Sequence, residues 1–140
     1  CTVHMFPGKS ITLYESAHVG HGAIIHGAHL GRNCLIGMNA VIMDDAEIGE
    51  ESIIGAMAFV KAETKIPRRS LVVGNPGKII KTVSDDMIAW KTAGTKLYQQ
   101  LPADCHDSLR EVEPLREIPQ NRPTQEDFYK TLNEFMSRSK

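Results

Sequence analysis

A repeat of six residues runs through the first half of the chain and constrains its fold more than any other feature. An aliphatic residue returns every six positions, with a single five-residue step after Ile25. These positions are Leu13, Val19, Ile25, Leu30, Ile36, Ile42, Ile48, Ile54, Val60, Ile66 and Val72. From Leu13 to Ile66, the residue four places further on is small, with His29 as the exception. Helices repeat at 3.6 residues and half-buried strands at 2. A period of six therefore predicts a β-solenoid of short parallel strands joined by tight turns.

The repeat also predicts how such a solenoid is filled. Each aliphatic residue should point into a narrow core and stack on its counterpart one coil away, about 4.8 Å along the axis. Glycine directly follows the aliphatic residue in five repeats, at Gly20, Gly31, Gly37, Gly49 and Gly55. We expect these glycines to supply the unusual backbone angles of the corners.

The pattern ends near residue 74, in a turn-rich stretch, and this end sets the predicted domain organisation. Residues 1–74 should form the solenoid, and residues 75–140 a helical tail that packs on the solenoid or on a neighbouring subunit. Because the repeat is already under way at Cys1, we expect that earlier coils are missing from this sequence.

The tail carries several signals for α-helices. Ser84 has the features of an N-cap followed by acidic residues, which predicts a helix over residues 85–101. A shorter helical segment is expected over 104–112. Thr124 and Asp127 have the spacing of a capping box, which predicts a further helix after them.

Composition excludes several classes of function. A net charge of -1 leaves no basic surface for nucleic acid or an anionic membrane. No apolar run approaches the roughly 18 to 20 residues that a membrane span requires. The three cysteines, Cys1, Cys34 and Cys105, are odd in number and widely spaced, which favours a reducing compartment over a disulfide framework. We therefore expect a cytoplasmic protein, with Cys34 inward and unreactive.

Five of the six histidines lie within the first 29 residues. His4 follows Val3 and His26 follows Ile25, so the two occupy the same place in the repeat and should stack on adjacent strands, about 5 Å apart at their bases. Two such imidazoles can converge on one metal ion. Three histidines with an open water position are a common catalytic zinc set, and a site at a subunit edge could take its third ligand from a neighbour. The alternative to a metal site is that the stacked rings form hydrogen bonds with each other or with the backbone.

The segment His18–Gly27, together with Cys1–His4, resembles the γ-class carbonic anhydrases among the hexapeptide-repeat proteins. This resemblance implies a mainly β fold, a left-handed parallel β-helix with C-terminal α-helices, that assembles as a homotrimer. It also implies Zn²⁺, or another divalent transition metal, held between subunits by His4, His21 and His26. His21 would be the ligand donated across the interface.

Motifs in the tail, among them Trp90–Lys91 and residues 113–118, are similar to branches of that family associated with phenylacetate degradation and carnitine metabolism. The resemblance implies metal-dependent hydrolysis of coenzyme A thioesters, with basic residues of the 61–81 stretch available to the coenzyme A phosphates. The loop at residues 5–12 offers no carboxylate as a proton shuttle, which favours hydrolysis over hydration of carbon dioxide. Acyl transfer, carbonic anhydrase activity and a non-enzymatic trimeric scaffold remain alternatives.

Overall fold

A computed structural model describes residues 1–121 and 131–137. Within those residues it contains thirteen strands and two helices. The strands are β1 Thr2–His4, β2 Thr12–Leu13, β3 His18–Val19, β4 Ile24–His26, β5 His29–Leu30, β6 Leu35–Ile36, β7 Val41–Ile42, β8 Glu47–Ile48, β9 Ile53–Ile54, β10 Phe59–Val60, β11 Lys65–Ile66, β12 Ser70–Val73 and β13 Lys78–Thr82. The helices are α1 Asp85–Ser108 and α2 Leu132–Ser137.

Strands β1 to β12 wind into a parallel β-helix with three faces. The first face has the order β1-β4-β7-β10, the second β2-β5-β8-β11, and the third β3-β6-β9-β12 with β13 added at its end. Each strand pairs in parallel with the strand three places further along the chain, as in Ile25 with Ile42 and Leu30 with Ile48. The solenoid predicted from the six-residue period is confirmed.

The core is the stack of aliphatic residues that the repeat predicts. Ile25, Leu30, Ile36, Ile42 and Ile54 are fully buried. The small column lies beside them and is buried as well, at Ala23, Cys34, Ala40, Ala46, Ser52 and Ala58. Truncating one of these isoleucines to alanine should cost about 2 to 5 kcal/mol, the usual range for a well-packed core.

The glycines of the repeat serve close packing of coils, which corrects the role we expected for them. Left-handed backbone angles occur instead at non-glycine corner residues such as Asn33 and Asn39, with φ of 54° and 56°. A Cβ added at Gly37 would lie 2.5 Å from the backbone nitrogen of Ala56 in the next coil. Glycine is needed there because the neighbouring backbone leaves no room for a side chain.

The solenoid ends in a β-hairpin that the repeat did not predict. Strand β13 pairs antiparallel with β12, between Ser70 and Thr82 at one end and Val73 and Lys78 at the other. This pairing satisfies the edge of the last coil, which would otherwise offer unpaired backbone groups.

The helices also differ from expectation. Helix α1 starts where predicted, with the Ser84 hydroxyl accepting from the Met87 amide at 3.3 Å, but it continues through Pro102 to Ser108. The separate helix expected over 104–112 is therefore wrong. The capping box at Thr124 lies outside the described residues. No helix in the described ranges is long and apolar enough to cross a membrane.

The chain forms two compact units, Cys1–Thr92 and Ala93–Lys140. The hairpin and the first eight residues of α1 belong to the unit that contains the solenoid. In the second unit, α2 is capped by Thr131, whose amide donates to Glu134 at 2.8 Å.

Candidate metal centre

Two of the three predicted metal ligands meet on the first face of the solenoid. Strands β1 and β4 pair in parallel so that His4 lies directly opposite His26. His4 Nδ1 and His26 Nε2 are 3.1 Å apart, and the ring centroids are 5.2 Å apart with a tilt of 38°. The spacing of 22 residues thus brings the two rings together, because the extra residues form the loop between β1 and β2.

That loop places apolar surface beside the histidine pair. Phe6 meets the His26 ring edge-on, with centroids 4.9 Å apart, and its own side chain is 60% exposed. Met5 is also exposed. Further along the loop, Lys9 forms an ion pair with Asp45, which lies two coils further on. The pair therefore lies at an open surface that is apolar on one side and charged on the other.

A carboxylate lies on the opposite edge of the His26 ring. His26 Nδ1 is 2.9 Å from Asp44 Oδ1 and 3.0 Å from Asp44 Oδ2. A carboxylate can only accept, so Nδ1 carries the hydrogen and donates it. The Nε2 lone pair is then left facing His4. Both side chains are sheltered, at 17% exposure each.

The five-residue step of the repeat explains how Asp44 comes to lie there. On the strands, Ile25 pairs with Ile42, an offset of 17 residues. After the turn, Leu30 pairs with Ile48, an offset of 18. The coil that contains β7 therefore has one more residue in this turn than the coil that contains β4, and a Cβ at Gly27 would lie 2.5 Å from Asp44 Oδ1. The shortened turn and the missing side chain make room for the carboxylate.

His21 does not join this pair within one chain. It is exposed in the turn between β3 and β4. No group of three or more histidine, cysteine, aspartate or glutamate side chains that could hold a metal forms within residues 1–121 and 131–137. The remaining histidines are elsewhere: His18 on the third face, His29 on the second, and His106 in α1.

Asp44 is a partner of the site that was not predicted from the sequence. The signal was present, because an acidic residue stands 18 places after His26, close to one coil further on. The five-residue step after Ile25 shifts the count and hides the alignment of Asp44 with His26. On the strands His26 lies over Met43, one residue away, so a strict count does not align the carboxylate with the ring.

A second polar column runs along one corner of the solenoid, at Ser16, Asn33, Glu51 and Arg69, where each residue has a positive φ. Arg69 donates to Glu51 at 2.8 Å, and its guanidinium holds the pKa of that carboxyl below the usual range. Arg69 also donates to Asp85 at the start of α1, at 2.8 Å. We call these four residues the corner column.

Lys91 of α1 closes the other end of the corner column. Its ammonium donates to the Ser16 carbonyl and to Asn33 Oδ1, both at 2.7 Å, while Asn33 Nδ2 donates to Thr92 Oγ1 at 3.0 Å. Lys91 is 4% exposed, and burial lowers its pKa to about 8. This group holds the start of the helix to the solenoid, so we assign it a structural role.

Other predicted functional residues are placed as follows. Cys34 is fully buried, and burial raises the pKa of its thiol to about 11, which makes it a poor nucleophile. Of the basic residues over 61–81, Lys65 pairs with Glu47 at 3.0 Å, and Arg68 pairs with Glu51 at 3.1 Å. Lys61, Lys78 and Lys81 are exposed.

Comparison with known proteins agrees with the repeat and the fold. Residues 27–62 match the family model described as bacterial transferase hexapeptide (six repeats). The chain is 49% identical to the carnitine operon protein CaiE of Escherichia coli K12 over 123 residues, covering 88% of this chain and 63% of CaiE. It thus spans less than two thirds of the length of that relative.

Solved structures show the same architecture. A Bacillus cereus protein described as a candidate acetyltransferase superposes with a TM-score of 0.73 at 34% identity, covering 79% of this chain and 63% of that one. A hexapeptide transferase family protein from Anaplasma phagocytophilum superposes with a TM-score of 0.68 at 24% identity, covering 73% of this chain and 60% of that one. This similarity indicates a shared fold only. The chain has the repeat and the fold of the hexapeptide-repeat proteins. Within them it is similar to CaiE over most of its length.

Proposed function

We propose that the protein is a trimeric, metal-dependent hydrolase of acyl-coenzyme A thioesters. The observation that supports this most strongly is the His4–His26 pair, with ring nitrogens 3.1 Å apart at an open surface. His4 and His26 of one subunit and His21 of the next would hold Zn²⁺ or a similar divalent ion. The similarity to a Bacillus cereus protein described as a candidate acetyltransferase is consistent with a substrate that carries an acyl group.

The donor set fits zinc. Imidazole nitrogens bind zinc at about 2.0 to 2.1 Å in tetrahedral geometry, which puts two such nitrogens roughly 3.3 Å apart. The 3.1 Å between His4 Nδ1 and His26 Nε2 is close to that value. Because two histidines alone leave the set incomplete in one chain, a neighbouring subunit must supply the third. The exposed position of His21 in its turn makes it available for that role.

The residues of this chain would have separate roles in the reaction. A bound zinc ion would supply a water of lowered pKa and polarise the thioester carbonyl. His4 and His26 hold the reacting centre at the surface of the first face. Phe6 and Met5 offer an apolar surface beside it on which an acyl group can lie and exclude water. Exposed lysines such as Lys61 and Lys78 are available to the phosphates of coenzyme A.

Acyl transfer is the second candidate, and the match of residues 27–62 to the transferase hexapeptide model favours it. In that case the acyl group passes to an acceptor hydroxyl or amine, with a histidine as general base. Carbonic anhydrase activity would use the same metal centre as thioester hydrolysis. The two enzyme classes therefore differ in whether activity requires the metal.

The test combines metal content, native mass and turnover of the full chain with a panel of acyl-coenzyme A esters. We expect a trimer with about one zinc per chain. His26→Ala and His21→Ala should each lose zinc and thioester hydrolysis, while His106→Ala, which removes an exposed histidine of α1, should lose neither. Turnover that survives the loss of metal would contradict the proposal and favour acyl transfer. Hydration of carbon dioxide without thioester hydrolysis would favour a carbonic anhydrase.

Mixed trimers test whether the ligands come from two chains. The His26→Ala chain still carries His21, and the His21→Ala chain still carries His4 and His26. Refolding the two inactive variants together should therefore restore intact sites at some interfaces, and with them part of the zinc and the activity. No recovery in mixed trimers of correct mass would show that all ligands come from one chain.

A further inference from the structure

We propose that Asp44 is a positioning residue that fixes the tautomer of His26, keeping the hydrogen on Nδ1 and the Nε2 lone pair directed at His4. The purpose of this role is metal binding by His26, which rests on the proposed function. Neither the repeat nor the resemblance assigns a role to Asp44. The geometry itself is independent of any metal, since both carboxylate oxygens lie within 3.0 Å of His26 Nδ1.

Neutral imidazole has one N–H, and which nitrogen carries it decides which one can bind a metal. With the hydrogen on Nε2, His26 would present a donor to His4 and could not act as a ligand from that edge. A carboxylate at Nδ1 favours the other tautomer and makes the ligating nitrogen more basic. Metal-binding histidines commonly have such a partner, and removing it typically costs 10- to 100-fold in metal affinity.

The surroundings show that Asp44 is directed at His26. Gly27, with φ of 60°, lies against Asp44 and has no side chain to displace its carboxylate, since a Cβ there would be 3.3 Å from Asp44 Cα and 2.5 Å from Asp44 Oδ1. The nearby ammonium of Lys9 pairs with Asp45 instead. His26 is held between Asp44 on one edge and His4 on the other, with Phe6 against it at 4.9 Å. The ring therefore has a fixed orientation.

The tautomer can be read directly in the zinc-free protein by nitrogen–proton correlation NMR of ¹⁵N-labelled histidine. At pH 8.5, above the ordinary imidazole pKa of about 6.5, wild-type His26 should show its hydrogen on Nδ1. Asp44→Ala should move that hydrogen wholly or partly to Nε2. Asp44→Asn should retain part of the Nδ1 form, because the amide oxygen still accepts. A His26 spectrum unchanged in Asp44→Ala would overturn the proposal.

Zinc affinity, measured by competition with a chelator, gives a second readout. We expect Asp44→Ala to bind zinc 10- to 100-fold more weakly and Asp44→Asn to fall in between. Asp45→Asn is the matched control, since it removes a neighbouring carboxylate from a position with positive φ that asparagine tolerates. Equal affinity of wild type and Asp44→Ala would also overturn the proposal.

The two readouts separate this inference from the proposed function. If wild type binds no zinc while Asp44→Ala still changes the tautomer, the metal-dependent hydrolase fails and the role of Asp44 on His26 stands. If wild type binds zinc and the tautomer does not change in Asp44→Ala, the role of Asp44 on His26 fails and the metal-dependent hydrolase stands. Thermal unfolding followed by circular dichroism checks that each variant is folded.

Discussion

Two stacks of polar side chains on the solenoid end differently. The corner column of Ser16, Asn33, Glu51 and Arg69 is covered by the start of α1, and its exposed ends are closed by Lys91 and Asp85. The pair of His4 and His26 is stacked by the same repeat but remains open at the surface. Stacked polar side chains therefore do not form a binding site by themselves. A stack stabilises the fold where the chain itself completes it, and can bind a ligand where the chain leaves it incomplete.

Helix α1 can contact both ends of the corner column because the rise of its first eight residues matches the height of two coils. From Asp85 to Thr92 the helix rises about 10.5 Å at 1.5 Å per residue. Two coils of the solenoid span about 9.6 Å at 4.8 Å each. Asp85 accordingly meets Arg69, and Thr92 meets Asn33 two coils away. Nothing in the chain runs along the first face in the same way, within the residues described for the solenoid unit.

The largest expected effect comes from a change that forces two neighbouring coils apart. Gly37→Ala would place a Cβ 2.5 Å from the Ala56 nitrogen and 2.6 Å from the Gly55 carbonyl carbon. Backbone atoms cannot rotate away, so we expect a loss of about 3 kcal/mol or more in the free energy of unfolding. Urea titration of the purified variant measures it.

Gly55→Ala is the control from the same column. Its nearest neighbour is Val73 Cγ1 at 2.9 Å, a side chain that can move, and the nearest backbone atom is 3.3 Å away. We expect a cost below about 1 kcal/mol. Similar losses in the two variants would mean that close approach of coils does not select glycine here.

An intermediate effect is expected from a change that breaks the corner column alone. Lys91→Met keeps the length of the side chain but leaves the Ser16 carbonyl and Asn33 Oδ1 without their donor. We expect a loss of about 1 to 3 kcal/mol at pH 7, measured by urea unfolding. Lys96→Met, at an exposed position of the same helix, should change stability by less than 0.5 kcal/mol, roughly the range for surface substitutions.

The pH dependence of that difference gives a further check on the burial of Lys91. Its pKa is about 8 in the folded protein and 10.5 is the ordinary value. Between these values the unfolded chain binds more protons, so this lysine makes stability rise with pH. The advantage of wild type over Lys91→Met should therefore grow from about pH 8 to 10.5. The Cys34 thiol has the opposite dependence, because burial raises its pKa, and Lys91 lowers that pKa. Both proteins are therefore compared in a Cys34→Ala background, which removes the thiol. A difference that stays constant with pH would argue against a buried amine.

These two stacks also show what a sequence can and cannot predict in a repeat protein. The period of six predicted the solenoid, its core and the meeting of His4 with His26, because strands one coil apart align by simple counting. Asp44 was missed where the count slips by one residue. Lys91 was named only as part of a motif, because its contacts with Ser16 and Asn33 join residues 75 and 58 places apart. Such contacts depend on how a helix packs, which periodicity does not encode.

The smallest effect on stability is expected at the open stack. His4 is exposed at the first strand, so His4→Ala in the zinc-free protein should change the free energy of unfolding by less than about 0.5 kcal/mol. Adding zinc at 100 times its dissociation constant should stabilise wild type by about 2.7 kcal/mol and leave His4→Ala unchanged. Unfolding is compared at one protein concentration, because an oligomer's stability depends on it. If His4→Ala destabilises the metal-free protein as much as Lys91→Met does, the histidine pair is a structural stack like the corner column, and the distinction between the two fails.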